Sequence, residues 1–146
     1  MNKDFLTKEE RDLISSAVSE AESTTAGEIR VVVVANSLRF KNVHAHAVES
    51  FAKYGLHNTI NKTGILIFLS VEEKRIEILA DEGINAKVEQ NVWDDMVTKL
   101  AENIRKNGTC KGICDLVKEV GKLLTTHFPI QPGDKDELSN EVVVEE

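Results

Sequence analysis

The sequence contains no long apolar segment. None of its hydrophobic runs approaches the ~20 consecutive apolar residues that a membrane-spanning helix needs. The first residues, MNKDFLTKEERD, become polar too early to supply the apolar region of a signal peptide. These two absences predict a cytoplasmic protein with no membrane partner.

Cysteine is scarce as well. The 146 residues include two cysteines, Cys110 and Cys114, which remain thiols in a reducing compartment. Four residues apart on a helix, they would share one face. A zinc site would need two further ligands, so we interpret the pair as two small buried apolar residues.

Basic residues are outnumbered by acidic ones. The chain has 18 Lys and Arg against 25 Asp and Glu, which gives a formal net charge of −7 at pH 7. A negative protein is repelled by a phosphate backbone and by an anionic lipid surface. The charge balance therefore argues against nucleic acid as a partner.

The common nucleotide-binding and catalytic motifs are absent. There is no GxGxxG sequence and no P-loop, so no nucleotide cofactor is predicted. The EF-hand calcium pattern is missing, and no Ser, His and Asp are recognisably placed as a triad. The sequence therefore identifies no catalytic residue.

The length fits a single domain, which we place at residues 1–128. Residues 129–146 contain both prolines of the chain and six acidic residues against one lysine. This composition predicts an acidic, loosely ordered C-terminal tail. The apolar triplet at 142–144 leaves open a second interpretation, in which that part of the tail docks on the edge of a sheet.

Helix and strand patterns alternate within residues 1–128. Thr7 and Glu10 form a predicted capping box, and apolar residues at helical spacing follow, so we predict a first helix over 8–25. Three apolar runs predict strands at 29–35, 65–69 and 75–80. A second amphipathic helix lies between the first two runs. Two more helices follow the third run, one beginning near Asn85 and stopping by Gly108, the other stopping at Phe128.

The strand patterns also predict the topology of the sheet. The first run is apolar except for Arg30 and the second is apolar throughout, as is typical of strands buried on both faces. The third alternates like an edge strand. A strand–helix–strand crossover makes the first two strands parallel. The short connection to the third makes it antiparallel to the second. We therefore predict an α/β fold, a three-layer α/β/α sandwich with a small mixed sheet and helices on both faces.

These directions gather acidic residues at one edge of the predicted sheet. The start of the first strand (Glu28), the turn before the second (Asn61, Thr63) and the end of the third (Asp81, Glu82) should meet there. Oxygen donors of this kind suit Ca²⁺, with Mg²⁺ as the alternative cation, and do not suit zinc. We predict a metal site formed by Glu28, Thr63, Asp81 and Glu82. The competing interpretation is that Glu28 and Asp81 are solvated turn residues that cap the ends of helices.

Two residues beside these acids have predicted roles in the local backbone. Gly83 is expected to let the chain turn tightly. Asn85 is expected to open the next helix, whose free amides would add positive potential near the carboxylates.

A second acidic pair, Asp94 and Asp95, adjoins Trp93. On a helical wheel Asp95 flanks the apolar face and Asp94 points away from it. A solvated helix surface is the competing interpretation. Trp93 is expected to be a core or groove aromatic residue rather than a platform for a ligand.

Three segments resemble the TPM domain family over about residues 5–128: 27–31, 63–70 and 75–84. The ending at 127–138 resembles the soluble, anchor-less branch of that family. The resemblance implies a Rossmann-like fold, binding of a divalent cation that is often calcium, and an acid phosphatase activity reported for some members. It matches Glu28 and Asp81 to the acidic positions of the family, with Glu82 as their neighbour.

Three functions are consistent with this sequence. The leading hypothesis is a calcium-binding domain whose acidic edge has a structural or partner-binding role. The alternative is a metal-assisted acid phosphatase that acts on phosphomonoesters. The third is a domain that binds a protein partner without an ion, through the acidic tail or a groove at Trp93.

Overall fold

The computed structural model describes residues 6–130 and 140–145. Four strands form one mixed sheet in the order β3-β2-β1-β4. Their bounds are β1 Glu28–Val34, β2 Gly64–Ser70, β3 Arg75–Ala80 and β4 Val143–Glu145. The β1–β2 pair is parallel and the β2–β3 pair is antiparallel. Both predicted strand directions are confirmed.

Five α-helices surround the sheet within the described residues. Their bounds are α1 Lys8–Glu22, α2 Val43–Lys53, α3 Glu82–Asn85, α4 Gln90–Asn107 and α5 Thr109–His127, with a 3₁₀ turn at Leu56–Asn58. One face of the sheet packs against α1, α4 and α5, and the other packs against α2. The predicted three-layer sandwich is confirmed.

The run of four valines in β1 shows why the centre of the sheet is apolar on both faces. Val31 and Val33 join the core beneath α1, α4 and α5, whereas Val32 and Val34 join the smaller core beneath α2. All four are at most 1% exposed. Fully burying an aliphatic side chain stabilises the folded protein by about 1.5–3 kcal/mol. Where both faces of a strand are buried, apolar residues are therefore favoured at successive positions and not only at every second one.

The predicted start of α1 is confirmed and its predicted end is not. The Glu10 amide donates to Thr7 Oγ1 at 3.1 Å, and the Thr7 amide donates to Glu10 Oε1 at 2.9 Å, which completes the capping box. The helix ends at Glu22 rather than at residue 25. The Thr25 hydroxyl donates to the Phe128 carbonyl at 2.6 Å, and this contact with the end of α5 draws the chain out of the helix.

The prediction that the next helix begins near Asn85 is wrong. A separate short helix, α3, comes first and is capped by Asp81, and α4 starts at Gln90. The predicted stop at Gly108 is confirmed. Gly108 has a φ of +92°, which lets the chain reverse between α4 and α5.

The C-terminal residues supply the fourth strand. Residues 143–145 pair in parallel with residues 32–34 of β1, and the Ala35 amide donates to the Glu145 carbonyl at 2.8 Å. This is the docking on a sheet edge that the apolar triplet left open. The predicted loose order of the tail falls mainly on residues 131–139, which lie outside the described residues. Within 6–130 and 140–145, no helix has both the length and the apolar character needed to cross a bilayer.

Candidate functional site

The edge where β1 and β2 begin and β3 ends, here called the amino edge, brings Glu28 and Asp81 to either side of Gly64. Glu28 pairs with Gly64 in the β1–β2 register, and the Asp81 amide donates to the Gly64 carbonyl at 2.9 Å. Adjacent strands are about 4.8 Å apart. The two acidic residues therefore lie two strand spacings apart across one end of the sheet.

Glycine is required at this edge because the backbone segments approach closely. A Cβ on Gly64 would lie 2.4 Å from the Leu56 carbonyl oxygen, and one on Gly83 would lie 2.3 Å from the Asn61 carbonyl oxygen. The Gly83 amide donates to the Lys62 carbonyl at 3.0 Å. Gly83 is not among the glycines with positive φ. Its predicted role in a tight connection therefore depends on the missing Cβ and not on an unusual backbone angle.

Both carboxylates at the amino edge are buried. Glu28 is 2% exposed and Asp81 is 8% exposed. Asp81 Oδ1 accepts a hydrogen bond from the Glu82 amide at 2.9 Å, and His57 Nδ1 lies 3.5 Å from the same oxygen. Asp81 Oδ2 is buried without a hydrogen-bond partner among the described residues. Burying a carboxylate is costly unless its charge is compensated, and this second oxygen fits the donor chemistry of a hard cation.

The other two predicted ligands are placed differently. Thr63 is 1% exposed, and its hydroxyl lies 3.5 Å from the Ala26 carbonyl, to which it donates. Glu82 is exposed in the first turn of α3, and its carboxylate makes no hydrogen bond or ion pair with residues 6–130 or 140–145. In the same part of the chain, no three or more His, Cys, Asp or Glu side chains are grouped to hold a metal ion. Any ion at this edge would take its remaining ligands from backbone carbonyls and water.

Two residues near this edge were missed by the sequence analysis. His57 lies on the 3₁₀ turn and contacts Asp81. Glu22, at the end of α1, is 6% exposed, and its Oε2 accepts a 2.6 Å hydrogen bond from the Ile29 amide next to Glu28. The burial of Glu22 could have been predicted from the sequence, since Glu22 follows Ile14 and Val18 at a spacing of four on the buried face of α1. No sequence pattern predicts the place of His57, because it depends on the path of the connection between α2 and β2.

The sequence matches the TPM domain family over residues 1–123. The chain belongs to this family. No curated protein matches it.

Three solved structures are similar to this TPM domain. The BA42 protein from the psychrophilic bacterium Bizionia argentinensis is 32% identical, with a TM-score of 0.89, and the match covers 99% of this chain and 98% of that one. An N-terminal domain from P. gingivalis is 16% identical, with a TM-score of 0.70, over 89% and 85% of the two chains. The N-terminal domain of the cg2496 protein from Corynebacterium glutamicum is 13% identical, with a TM-score of 0.62, over 82% and 74%. The last two share the fold alone.

The second acidic pair of this TPM domain lies on a solvated helix surface. Asp94 and Asp95 are both exposed on α4, and Asp94 Oδ1 accepts a hydrogen bond from Gln90 at 3.3 Å. Trp93 is 2% exposed and belongs to the core. The expectation that Trp93 is a core residue is confirmed, and its ring is not available to a partner at the surface.

The cysteines of the TPM domain pack against the same core. Both are free thiols at intermediate exposure on α5. Burial raises the pKa of Cys114 to about 11 and also raises the pKa of Cys110. Because the thiolate is the reactive form, both residues act as small apolar groups at neutral pH.

Proposed function

We propose that the amino edge binds a divalent cation, with Ca²⁺ as the leading candidate and Mg²⁺ as the alternative, in a structural or partner-binding role. The observation that carries the proposal is Asp81, a buried carboxylate with one oxygen lacking a hydrogen-bond partner among the described residues. Its one ion-pair contact there is the exposed imidazole of His57. A cation at Asp81 Oδ2 would compensate the buried charge.

Glu28 is the second proposed ligand, since its buried carboxylate lies across Gly64 from Asp81. Thr63 and Glu82 were also predicted as ligands, and they are proposed only as outer residues of the site. The edge is tied together by the backbone, because three separate segments meet there through the Thr63, Gly64 and Lys62 carbonyls. An ion held by both acids would link the start of β1 to the end of β3 and stabilise the intervening turn.

Calcium titration of the melting temperature tests this proposal. A ligand that binds only the folded protein stabilises it by about 2.7 kcal/mol at a concentration 100 times its Kd. We expect the melting temperature to rise in CaCl₂ relative to EDTA for the wild type, and not to rise for Asp81→Asn. Asparagine is the substitution of choice because it retains the ability to cap α3.

Asp94→Asn is the matched control, since it removes an equally charged but exposed carboxylate. It should respond to calcium as the wild type does. The proposal is wrong if neither Ca²⁺ nor Mg²⁺ shifts the wild type. It is also wrong if Asp81→Asn keeps the full response.

Metal-assisted hydrolysis of phosphomonoesters is the second proposed function, and His57 is the observation in its favour. Its imidazole is exposed at the rim of the amino edge, with Nδ1 3.5 Å from Asp81 Oδ1. A cation, when bound, would supply polarisation of a phosphoryl oxygen. Asp81 would orient the imidazole, and His57 would donate a proton to the leaving oxygen or accept one from water.

Hydrolysis of p-nitrophenyl phosphate separates the two functions. Under the phosphatase proposal, His57→Gln lowers kcat at least tenfold while leaving the calcium-dependent rise in melting temperature intact. His44→Gln is the control, because it replaces another exposed histidine that pairs with Glu77, away from this edge. Equal turnover by the wild type and Asp81→Ala would point to a contaminating enzyme. The predictions of a cytoplasmic location and of no nucleic-acid partner stay predictions.

A further inference from the structure

The opposite end of the parallel strands, here called the carboxyl edge, contains a second cluster of polar and charged side chains. The strands β1, β2 and β4 run in the same direction and end there at Val34, Ser70 and Glu145. The chain leaves β1 towards β2, whereas β4 lies on the other side of β1. In open α/β sheets a ligand-binding crevice forms at the carboxyl ends of strands where the connections diverge in this way.

A cavity of about 250 Å³ lies at this edge, between β4, α2 and the loop after β1. The charged and titratable groups that face it are Arg39, His46, Glu49, Lys53 and Glu145. Pockets for drug-sized ligands have volumes of about 300–1,000 Å³. This cavity therefore suits a smaller molecule.

One wall of the cavity is held in place by packing and hydrogen bonds. The rings of Phe40 and His46 stack with their centroids 3.9 Å apart and their planes 10° from parallel. His46 is 7% exposed, and its Nδ1 lies 2.8 Å from the hydroxyl of Ser37. The Ser37 amide in turn donates to Glu73 Oε2 at 2.8 Å. The imidazole is therefore fixed with Nε2 directed towards β4.

The carboxylate of Glu145 already occupies one side of this cavity. His46 Nε2 lies 3.6 Å from Oε1, Lys53 Nζ donates to Oε2 at 3.3 Å, and the Tyr54 hydroxyl also donates to Oε2. Burial alone would raise the pKa of Glu145, but the hydrogen bonds from Tyr54 and Lys53 outweigh it and lower the pKa. Helix α2 and Tyr54, which follows it, thus provide a set of donors that bind a carboxylate.

Arg39 lines the same cavity and has no comparable contact. Its exposed guanidinium makes no hydrogen bond or ion pair with the part of the chain that the structure describes. A guanidinium offers a planar fork that matches carboxylate and phosphate oxygens. The cavity therefore contains one cation that the internal carboxylate does not use.

We propose that this cavity binds a small molecule through an oxyanion, a carboxylate or a phosphate group, with Arg39 as the anchoring cation and Glu145 as the internal carboxylate that competes for the other donors. Glu49, the remaining acid on the wall, disfavours ligands with a large negative charge. The site lies at the other end of the strands from Glu28 and Asp81, so it does not depend on a cation at the amino edge.

Amide chemical shifts measured during titration with inorganic phosphate, and separately with succinate, test this proposal. Ionic strength is held constant with NaCl, and EDTA is present throughout. We expect saturable shifts at residues 36–40, 46 and 53. Removing a charge-assisted hydrogen bond with Arg39→Gln should weaken binding about tenfold. Arg105→Gln, which removes an exposed arginine from the last turn of α4, should leave the affinity unchanged.

Glu145→Gln should bind the oxyanion several-fold more tightly, since the competing charge is removed. The amides of Val143 and Val144 report whether β4 remains docked in that variant. Asp81→Asn should bind as the wild type does, which separates this site from the proposed cation site. Saturation by one anion and not the other identifies the oxyanion.

Three results would overturn the proposal. The first is the absence of saturable shifts with either anion. The second is an equal affinity for Arg39→Gln and Arg105→Gln. The third is weaker binding by Glu145→Gln while β4 remains docked, because the carboxylate would then be assisting the ligand rather than competing with it.

Discussion

At the amino edge, backbone hydrogen bonds to the Thr63, Gly64 and Lys62 carbonyls join three chain segments, and the carboxylates of Glu28 and Asp81 are buried there. At the carboxyl edge, backbone hydrogen bonds from Ala35 and Val71 are supplemented by side-chain contacts, which run from Ser37 to His46, from Ser70 to Glu73 and from Lys53 to Glu145. Asp81 retains an oxygen without a hydrogen-bond partner in the described residues. Both oxygens of Glu145 have partners.

This difference separates two ways of accommodating buried charge. A buried carboxylate oxygen without a hydrogen-bond partner can bind an added cation. A carboxylate surrounded by hydrogen-bond donors shows where an added anion could bind, because the anion could use the same donors. The amino edge is also the less deformable of the two. Its glycines leave no room for a methyl group, whereas the carboxyl edge depends on a three-residue strand.

Removal of β4 should give the largest effect and should leave the amino edge intact. A chain that ends at residue 139 loses the partly buried contacts of Val142, Val143 and Val144 with the two cores. At roughly 1 kcal/mol for each half-buried valine, we expect a loss of about 2–4 kcal/mol. Thermal or urea unfolding measures this loss. The calcium response proposed for the amino edge should remain.

Two results would contradict this prediction for the truncated chain. An unchanged stability would mean that β4 contributes nothing to the fold. A lost calcium response, in a chain that still unfolds cooperatively, would mean that the two edges are coupled.

Gly83→Ala should give the next largest effect, now at the amino edge. The new methyl group would meet backbone oxygens of Asn61 and Lys62 at 2.3 and 2.6 Å, and neither can move without opening the edge. Overpacking of this kind costs about 1–3 kcal/mol. Glu82→Ala is the control, since it alters the adjacent exposed residue. Equal urea midpoints for the two variants would show that the turn is deformable.

Much of the fold could be predicted because its determinants are local. The uninterrupted valines of β1 identify a strand buried on both faces, and the Thr7–Glu10 spacing fixes the start of α1. The crossover rule then orients β2, and from these directions Glu28 and Asp81 were correctly placed at one edge. The pairing of β4 with β1 could not be derived in the same way. It joins residues more than 100 positions apart, and the sequence offers only three valines as a signal.

The details of the candidate site were harder to predict from the sequence, because they too depend on contacts that are not local. Sequence order places Thr63 and Glu82 beside the acids, but the orientation of each side chain depends on how the strand starts or the helix begins. The Thr63 hydroxyl lies against the Ala26 carbonyl, and Glu82 extends into solvent. His57 reaches Asp81 because the connection after α2 folds over the end of the sheet. A pattern along the chain contains no information about that path.

Loss of the Glu145 charge on acidification should give the smallest effect, again at the carboxyl edge. The pKa of Glu145 is lowered from its ordinary 4.5, since the hydrogen bonds from Tyr54 and Lys53 outweigh the effect of burial. A carboxyl group whose pKa is lower in the folded state stabilises the protein above its unfolded pKa, and this contribution disappears as the pH falls through the folded value. For a partly exposed ion pair it amounts to about 1 kcal/mol or less.

Urea unfolding of the wild type and Glu145→Gln at pH 7 and pH 3 measures this contribution. The variant should be less stable than the wild type at pH 7, and the difference should become smaller at pH 3, because the carboxyl group gains its proton as the pH falls towards and through its lowered pKa. Glu102→Gln is the control, since Glu102 is exposed on α4 and makes no hydrogen bond or ion pair with residues 6–130 or 140–145. A constant difference between wild type and Glu145→Gln at both pH values would show that Glu145 acts through packing. In that case, the charge of Glu145 would contribute nothing to its interaction with Lys53 and Tyr54.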